Sequence, residues 1–161
     1  MIDGVKIKSL RVFKDKPDRD EDKGRGGFLM EVLRSDEDLL KKFGQTTFTV
    51  ANSGTIKAFH YHDKQDDHWF VATGKAKIVL HDIRADSSTR GETQVLFAGK
   101  DDYKLISIPI GVAHGYQVVS EEPVLLFYHT TEPYSCDRPD ERRLAWNDPT
   151  INFDWSKEIV E

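Results

Sequence analysis

The sequence predicts an all-β protein, an antiparallel sandwich or barrel with about the strand number that a jelly roll accommodates. Between Thr46 and Thr130 eight short runs follow one another: TTFTV, TIKAFHYH, HWFVA, KAKIVLHDI, TQVLFA, KLISIPI, HGYQVV and VLLFYHT. They are rich in β-branched and aromatic residues and are separated by Gly, Asp, Ser and Pro clusters. No helical period interrupts them, so their apolar faces must be buried strand against strand. Chemistry is placed on that framework by His60 and His62, which stand two apart on one run and therefore point to the same face.

In chain order, residues 5–13, VKIKSLRVF, alternate apolar and basic and read as a first strand. Asp15–Lys23 with Pro17 reads as a solvated loop; its Asp18–Asp22 stretch has a spacing that fits no calcium loop. Gly24, Gly26 and Gly27 mark a turn before FLMEVLR. SDEDLLKKF then predicts a short helix in the N-terminal part, with Ser35 as cap, acids in the first turn and Lys41 and Lys42 in the last. The eight strands follow. The tail from Glu132 carries Pro133, Pro139 and Pro149 and reads as loop, with Trp146 and Trp155 anchoring it on the barrel. Residues 1–161 are expected to form a single domain.

Composition narrows the partners. A net charge of −5 supplies no basic face, so nucleic acid is not expected. No apolar run approaches the roughly 18–20 residues of a membrane span, and MIDGVKIKSLRVFKDK lacks the apolar core of a signal peptide. The lone Cys136 excludes an internal disulfide and suits a reducing cytoplasm; in its polar loop it reads as an incidental thiol.

Two motifs carry the chemistry. Gly54, five residues, His60-Tyr61-His62, four residues, Asp67, six residues and Gly74 form the first; Pro109, Gly111 and His114 form the second. Both spacings resemble the cupin patterns, with Asp67 where a glutamate is usual, and imply a cupin-type double-stranded β-helix. His68, His81 and His129 lie off these positions and read as surface or edge residues.

The flanking blocks are more specific. RGGFLMEV, KAFHYH, HDIRADSSTRGE, ISIPIGVAHGY, FYHTTEPY and AWNDPTINFDW resemble, in order, blocks of the dTDP-4-dehydrorhamnose 3,5-epimerase family and cover roughly residues 24–155. The resemblance implies an isomerase acting on a nucleotide-linked 4-keto-6-deoxy sugar for cell-surface polysaccharide. It implies a cytoplasmic homodimer that needs no cofactor. The ketone acidifies the neighbouring C–H bonds, so a base can remove a proton and an acid can return one on the opposite ring face. By this resemblance His60 is the base and Tyr128 the acid, and Tyr134 stacks on the nucleotide base. Arg25, Glu31, Lys57, His114 and Glu141 contact substrate.

Four departures qualify it. The family's arginine before the histidine block is Lys57 here, its glutamine two residues after the histidine is His62, and its lysine on the next strand falls near Asp67. The family also draws the aspartate that orients its histidine from beyond the tryptophan block, and this sequence ends six residues after Trp155. A substitute is expected from Asp82, Asp148 or Asp67, within about 2.6–3.2 Å of a His60 nitrogen. Two of the departures rebuild the cupin metal set, His60, His62, Asp67 and His114, suited to Zn²⁺, Fe²⁺, Mn²⁺ or Ni²⁺. That set supports an alternative, a metal-dependent cupin acting on another small oxygenated substrate. A noncatalytic sugar-binding cupin is a third reading.

Overall fold

The computed structural model describes residues 1–16 and 26–157, and the Asp18–Asp22 stretch and Arg25 lie outside the described residues. The strands are β1 (Lys6–Ser9), β2 (Phe13–Lys14), β3 (Phe28–Leu29), β4 (Gln45–Ala51), β5 (Ile56–Tyr61) and β6 (Asp67–Thr73). They continue as β7 (Lys75–Asp82), β8 (Thr93–Gly99), β9 (Lys104–Ile108), β10 (Val112–Val118), β11 (Val124–Thr130) and β12 (Arg142–Arg143). One five-stranded sheet runs β1-β9-β6-β11-β4, a second runs β12-β5-β10-β7-β8, and β2 pairs with β3. Every pairing is antiparallel, which gives the jelly roll. All eight runs between Thr46 and Thr130 form strands.

The two sheets close on an inner core that includes Trp69 and Val71 of β6, Ile78 and Leu80 of β7, Ile106 and Ile108 of β9, and Leu126 of β11. On β10 the inward row is Val112, His114, Tyr116 and Val118, all buried. A second cluster lies on the outer face of the other sheet, where Phe59, Val79 and Ala113 are covered by Leu144, Ile151, Phe153 and Trp155 of the tail. β7 is thus buried on both faces, which accounts for its nearly continuous apolar run. Lys77, within that run, extends its ammonium to the tail carbonyl of Trp155 at 2.6 Å.

The structure corrects four expectations. The stretch Ser35–Phe43 forms turns, not a helix. The charges that would have capped and paired within it bind elsewhere: Asp36 with Arg34 at 2.6 Å, Glu37 with Lys8 at 2.6 Å, Lys41 with Asp66 at 2.9 Å and Lys42 with Glu132 at 2.8 Å. So short a helix needs tertiary support, and here the tertiary contacts pull its side chains apart. The first strand breaks into β1 and β2: its ladder with β9 ends at the Leu10 N–H, which donates to the Tyr103 carbonyl at 2.9 Å, and Phe13 and Lys14 pair with Leu29 and Phe28 instead. His68 and His81 are buried rather than on the surface; His68 bonds Ser107 Oγ and His81 bonds Thr93 Oγ1, both at 2.8 Å. Trp155 anchors the tail as expected, but Trp146 is 55% exposed.

Candidate active site

Register brings the functional side chains into one row. β12, β5 and β10 lie side by side, with His60 opposite Arg143 on one flank and opposite His114 on the other. Asp67, at the start of β6 in the facing sheet, pairs with Thr130 of β11, two residues from Tyr128. Gly115 is required here, since a Cβ at this position would meet the Ala58 Cβ at 2.3 Å where β10 bulges against β5. Gly111, at φ +74°, turns the chain so that its N–H donates to the His62 carbonyl at 2.9 Å and ties the end of β5 to β10.

Two adjoining cavities of about 900 Å³ and 660 Å³ open above this row and share His60, Asp67, Tyr128, Glu141 and Arg143. The larger adds His62, Tyr134 and Arg138, and the smaller adds Lys57, Tyr116 and Trp146. Lys57 donates to Thr49 Oγ1 at 2.9 Å, Tyr134 stands 63% exposed at the rim, and Glu141 pairs with Arg143 at 2.6 Å. Glu31 is not at the cleft; it is held by Arg34 at 2.9 Å.

The histidines form a tight group. His60 Nε2 lies 2.9 Å from His114 Nε2. The Asp67 carboxylate reaches His114 Nε2 at 3.6 Å and His62 Nε2 at 3.7 Å. One donor atom from each of His60, His62, Asp67 and His114 falls within 4.8 Å of the others. Asp67 is buried, and Gln65 Nε2 at 2.8 Å and the Trp69 indole N–H at 3.1 Å donate to its two oxygens. Burial alone would raise the Asp67 carboxyl, yet the neighbouring imidazoles of His114 and His62 hold it below the usual carboxylate range.

Burial, reinforced by His114, pushes the His60 imidazole down to about 2, so it is neutral near pH 7 and carries a lone pair. Burial pushes the Tyr128 phenol above its ordinary value, against the effect of its bond to Thr47, so it keeps its proton. A neutral imidazole and a protonated phenol lining one cleft can accept and donate a proton respectively.

None of the three carboxylates expected to hold His60 forms a hydrogen bond with it among the described residues. Asp82 is consumed by Arg84 at 2.7 Å, Ser87 at 2.5 Å and Thr89 at 2.6 Å, and Asp148 by the Thr150 hydroxyl at 2.5 Å. Asp67 lies within 4.8 Å of a His60 nitrogen without a hydrogen bond to it, and stands 3.6 Å from the His114 Nε2 that His60 touches. The sequence reading also passed over Arg143 and Arg138. A charged pair in a proline-bearing tail looks like solvated surface, and only the pairing of β12 with β5 puts Arg143 at the cleft.

The comparisons with known proteins agree with this fold. A sequence model of the family described as dTDP-4-dehydrorhamnose 3,5-epimerase matches residues 2–161. The chain is 51% identical over 159 residues to the spore coat polysaccharide biosynthesis protein SpsL of Bacillus subtilis, covering 99% of each. It is 31% identical over 160 residues to a probable low-salt glycan biosynthesis epimerase, Agl13, of Haloferax volcanii, covering 98% of this chain and 97% of that one. A dTDP sugar isomerase of Desulfovibrio desulfuricans superposes with a TM-score of 0.85 at 26% identity, covering 98% and 94% of the two chains.

Proposed function

The chain belongs to the dTDP-4-dehydrorhamnose 3,5-epimerase family, and from that premise we propose that it epimerises a nucleotide-linked 4-keto-6-deoxy sugar for polysaccharide synthesis. The observation that carries the reading is the pairing of a neutral His60 with a protonated Tyr128 at the junction of the two cavities. His60 takes the proton from a carbon beside the ketone, and the C–H electron pair moves onto the ketone oxygen as an enolate. Tyr128 returns its phenolic proton to that carbon from the other ring face as the enolate collapses. The imidazolium and phenolate left behind re-equilibrate with solvent.

Asp67 acts at one remove. The proton gained by His60 is shared with His114 across 2.9 Å, and the carboxylate 3.6 Å from His114 Nε2 stabilises that charge. Lys57 and His114 hold the sugar diphosphate or its enolate, Glu141 contacts the sugar, and Tyr134 stacks on the nucleotide base at the rim. The proton transfers require no cofactor; the divalent metal that the same four donors suit is no part of this route. We read the enzyme as a single-domain cytoplasmic protein acting as a homodimer. Arg25 and Glu31 complete the substrate contacts in this reading, though Glu31 would first have to leave Arg34.

The test is solvent isotope exchange. Incubated in deuterium oxide with a dTDP-4-keto-6-deoxy sugar, the protein should place deuterium at the carbons flanking the ketone. His60→Ala should abolish exchange, and Tyr128→Phe should slow net inversion more than exchange. Absence of exchange with each of several such sugars would refute the reading.

A further inference from the structure

Four donors, His60, His62, Asp67 and His114, converge on one point of the cleft. His114 Nδ1 lies 2.8 Å from the Val112 carbonyl, and His62 Nδ1 bonds the Asp140 carbonyl. A carbonyl only accepts, so both rings carry their hydrogen on Nδ1, and each neutral ring turns a bare Nε2 lone pair inward. Those lone pairs meet the two oxygens of Asp67, His62 Nε2 at 3.7 Å from Oδ1 and His114 Nε2 at 3.6 Å from Oδ2. His60 adds a third imidazole nitrogen 2.9 Å from His114 Nε2. A proton on His60 Nε2 bridges only the pair with His114, and a second proton on His114 or His62 makes that ring a donor to Asp67, whereas one divalent cation at the centre bridges all four.

The supporting contacts are those a bound metal needs. Each of the two buried imidazoles is oriented by a backbone carbonyl at its outer nitrogen, and the carboxylate is held by the Gln65 amide and the Trp69 indole. Ligand bonds of about 2.1 Å would place the donors about 3.0–3.4 Å apart for right-angled to tetrahedral geometry. The separations of 2.9, 3.6 and 3.7 Å straddle that interval. Three imidazoles with one carboxylate suit a transition metal rather than calcium or magnesium, which favour oxygen ligands.

We propose that His60, His62, Asp67 and His114 form a binding site for one divalent transition metal ion. Only its consequence rests on the epimerase reading: a metal at the centre takes the lone pair that His60 needs as a base, so the metal-bound form is inactive in isotope exchange. Proton and metal are alternative occupants of one place.

Protein purified without a nickel column and stripped with chelator is titrated with Co²⁺ and, separately, Zn²⁺. One Co²⁺ per chain should bind with a visible ligand-field absorption, and Zn²⁺ should displace it and raise the melting temperature. His62→Gln and Asp67→Asn should each lower Co²⁺ affinity by about 10–100-fold or more. Should either variant fail to fold, histidine ¹⁵N spectra of the unaltered protein decide: Zn²⁺ must shift the Nε2 resonances of His62 and His114 and leave that of His129 in place. Binding undiminished in both folded variants, or no saturable binding at one equivalent, overturns the proposal, as does an unmoved pair of Nε2 resonances. Shared protons would then neutralise the centre. Exchange by the stripped protein is scored separately. Its absence with metal binding intact counts against the epimerase reading alone; its presence without metal binding counts against this site alone.

Discussion

Replacing Trp155 with alanine tests whether the tail is a structural layer of the barrel. The side chain is 4% exposed, its ring centroid lies 5.3 Å from that of Phe59 and 4.9 Å from that of Phe153, and its indole N–H donates to the Trp146 carbonyl at 2.8 Å. A tryptophan so placed removes about 150–250 Å² from water. At about 25 cal/mol per Å² this is about 4–6 kcal/mol as an upper bound. Alanine retains part of that area, and the cavity adds a cost, so a loss of about 3–5 kcal/mol is expected. At about 2–4 °C per kcal/mol for a chain of this size, the melting temperature should fall by about 6–20 °C. Trp155→Phe, which keeps a ring and loses one hydrogen bond, should lose only about 1–2 kcal/mol. Phe59 also exchanges both backbone hydrogen bonds with Leu144, at 3.1 and 2.9 Å, just beyond β12. Loosening the tail should therefore raise KM for the nucleotide sugar before it lowers kcat. Urea unfolding and steady-state kinetics measure the two effects. A loss under about 1 kcal/mol with an unchanged KM would show that the tail does not hold the mouth in place.

Two further outcomes are expected. Asp82 is fully buried, and the Arg84 guanidinium, with Ser87 and Thr89, holds its carboxyl well below the ordinary range. Its contribution is therefore present above the unfolded-state value of about 4 and is lost as pH falls through the lower folded value. Asp82→Asn should cost about 3 kcal/mol near neutral pH, with the gap to the unaltered protein narrowing in acid; a gap constant down to the lowest pH at which both fold would refute the assignment. Arg143→Ala should raise KM by about tenfold for a sugar diphosphate, the order expected of one charge-assisted hydrogen bond at an exposed site. Equal KM values for the two proteins would remove Arg143 from substrate binding.

What could be read from the sequence was whatever is local in register. VLLFYHT is β11 residue for residue, and the two-residue step from His60 to His62 put both rings at one centre, because strand parity is a property of the chain itself. The spacing to Asp67 and the glycine-histidine motif at His114 were legible for the same reason. What failed depended on long-range partners. Ser35–Phe43 carries every local helix signal, yet its lysines and Glu37 are claimed by Glu132, Asp66 and Lys8. Asp82 and Asp148 looked free to orient His60 until their own turns satisfied them. Arg143 lies 83 residues from His60 in the chain, a separation of 143 − 60, and nothing in its neighbourhood announces that the two are cross-strand partners.

The two-residue strand β12 gives the molecule a division of labour. Three of the four donors sit on the long ladders of β5, β6 and β10, with His62 one residue past the end of β5, and a substitution there disturbs neighbours on several strands at once. The aperture is framed by a short stretch hung on one side of a single strand, and most of that stretch is exposed. Changes in this stretch that spare Asp140, whose carbonyl orients His62, can therefore reshape what is admitted while the reacting groups stay fixed. Substrate range in proteins built this way is free to drift faster than reaction type.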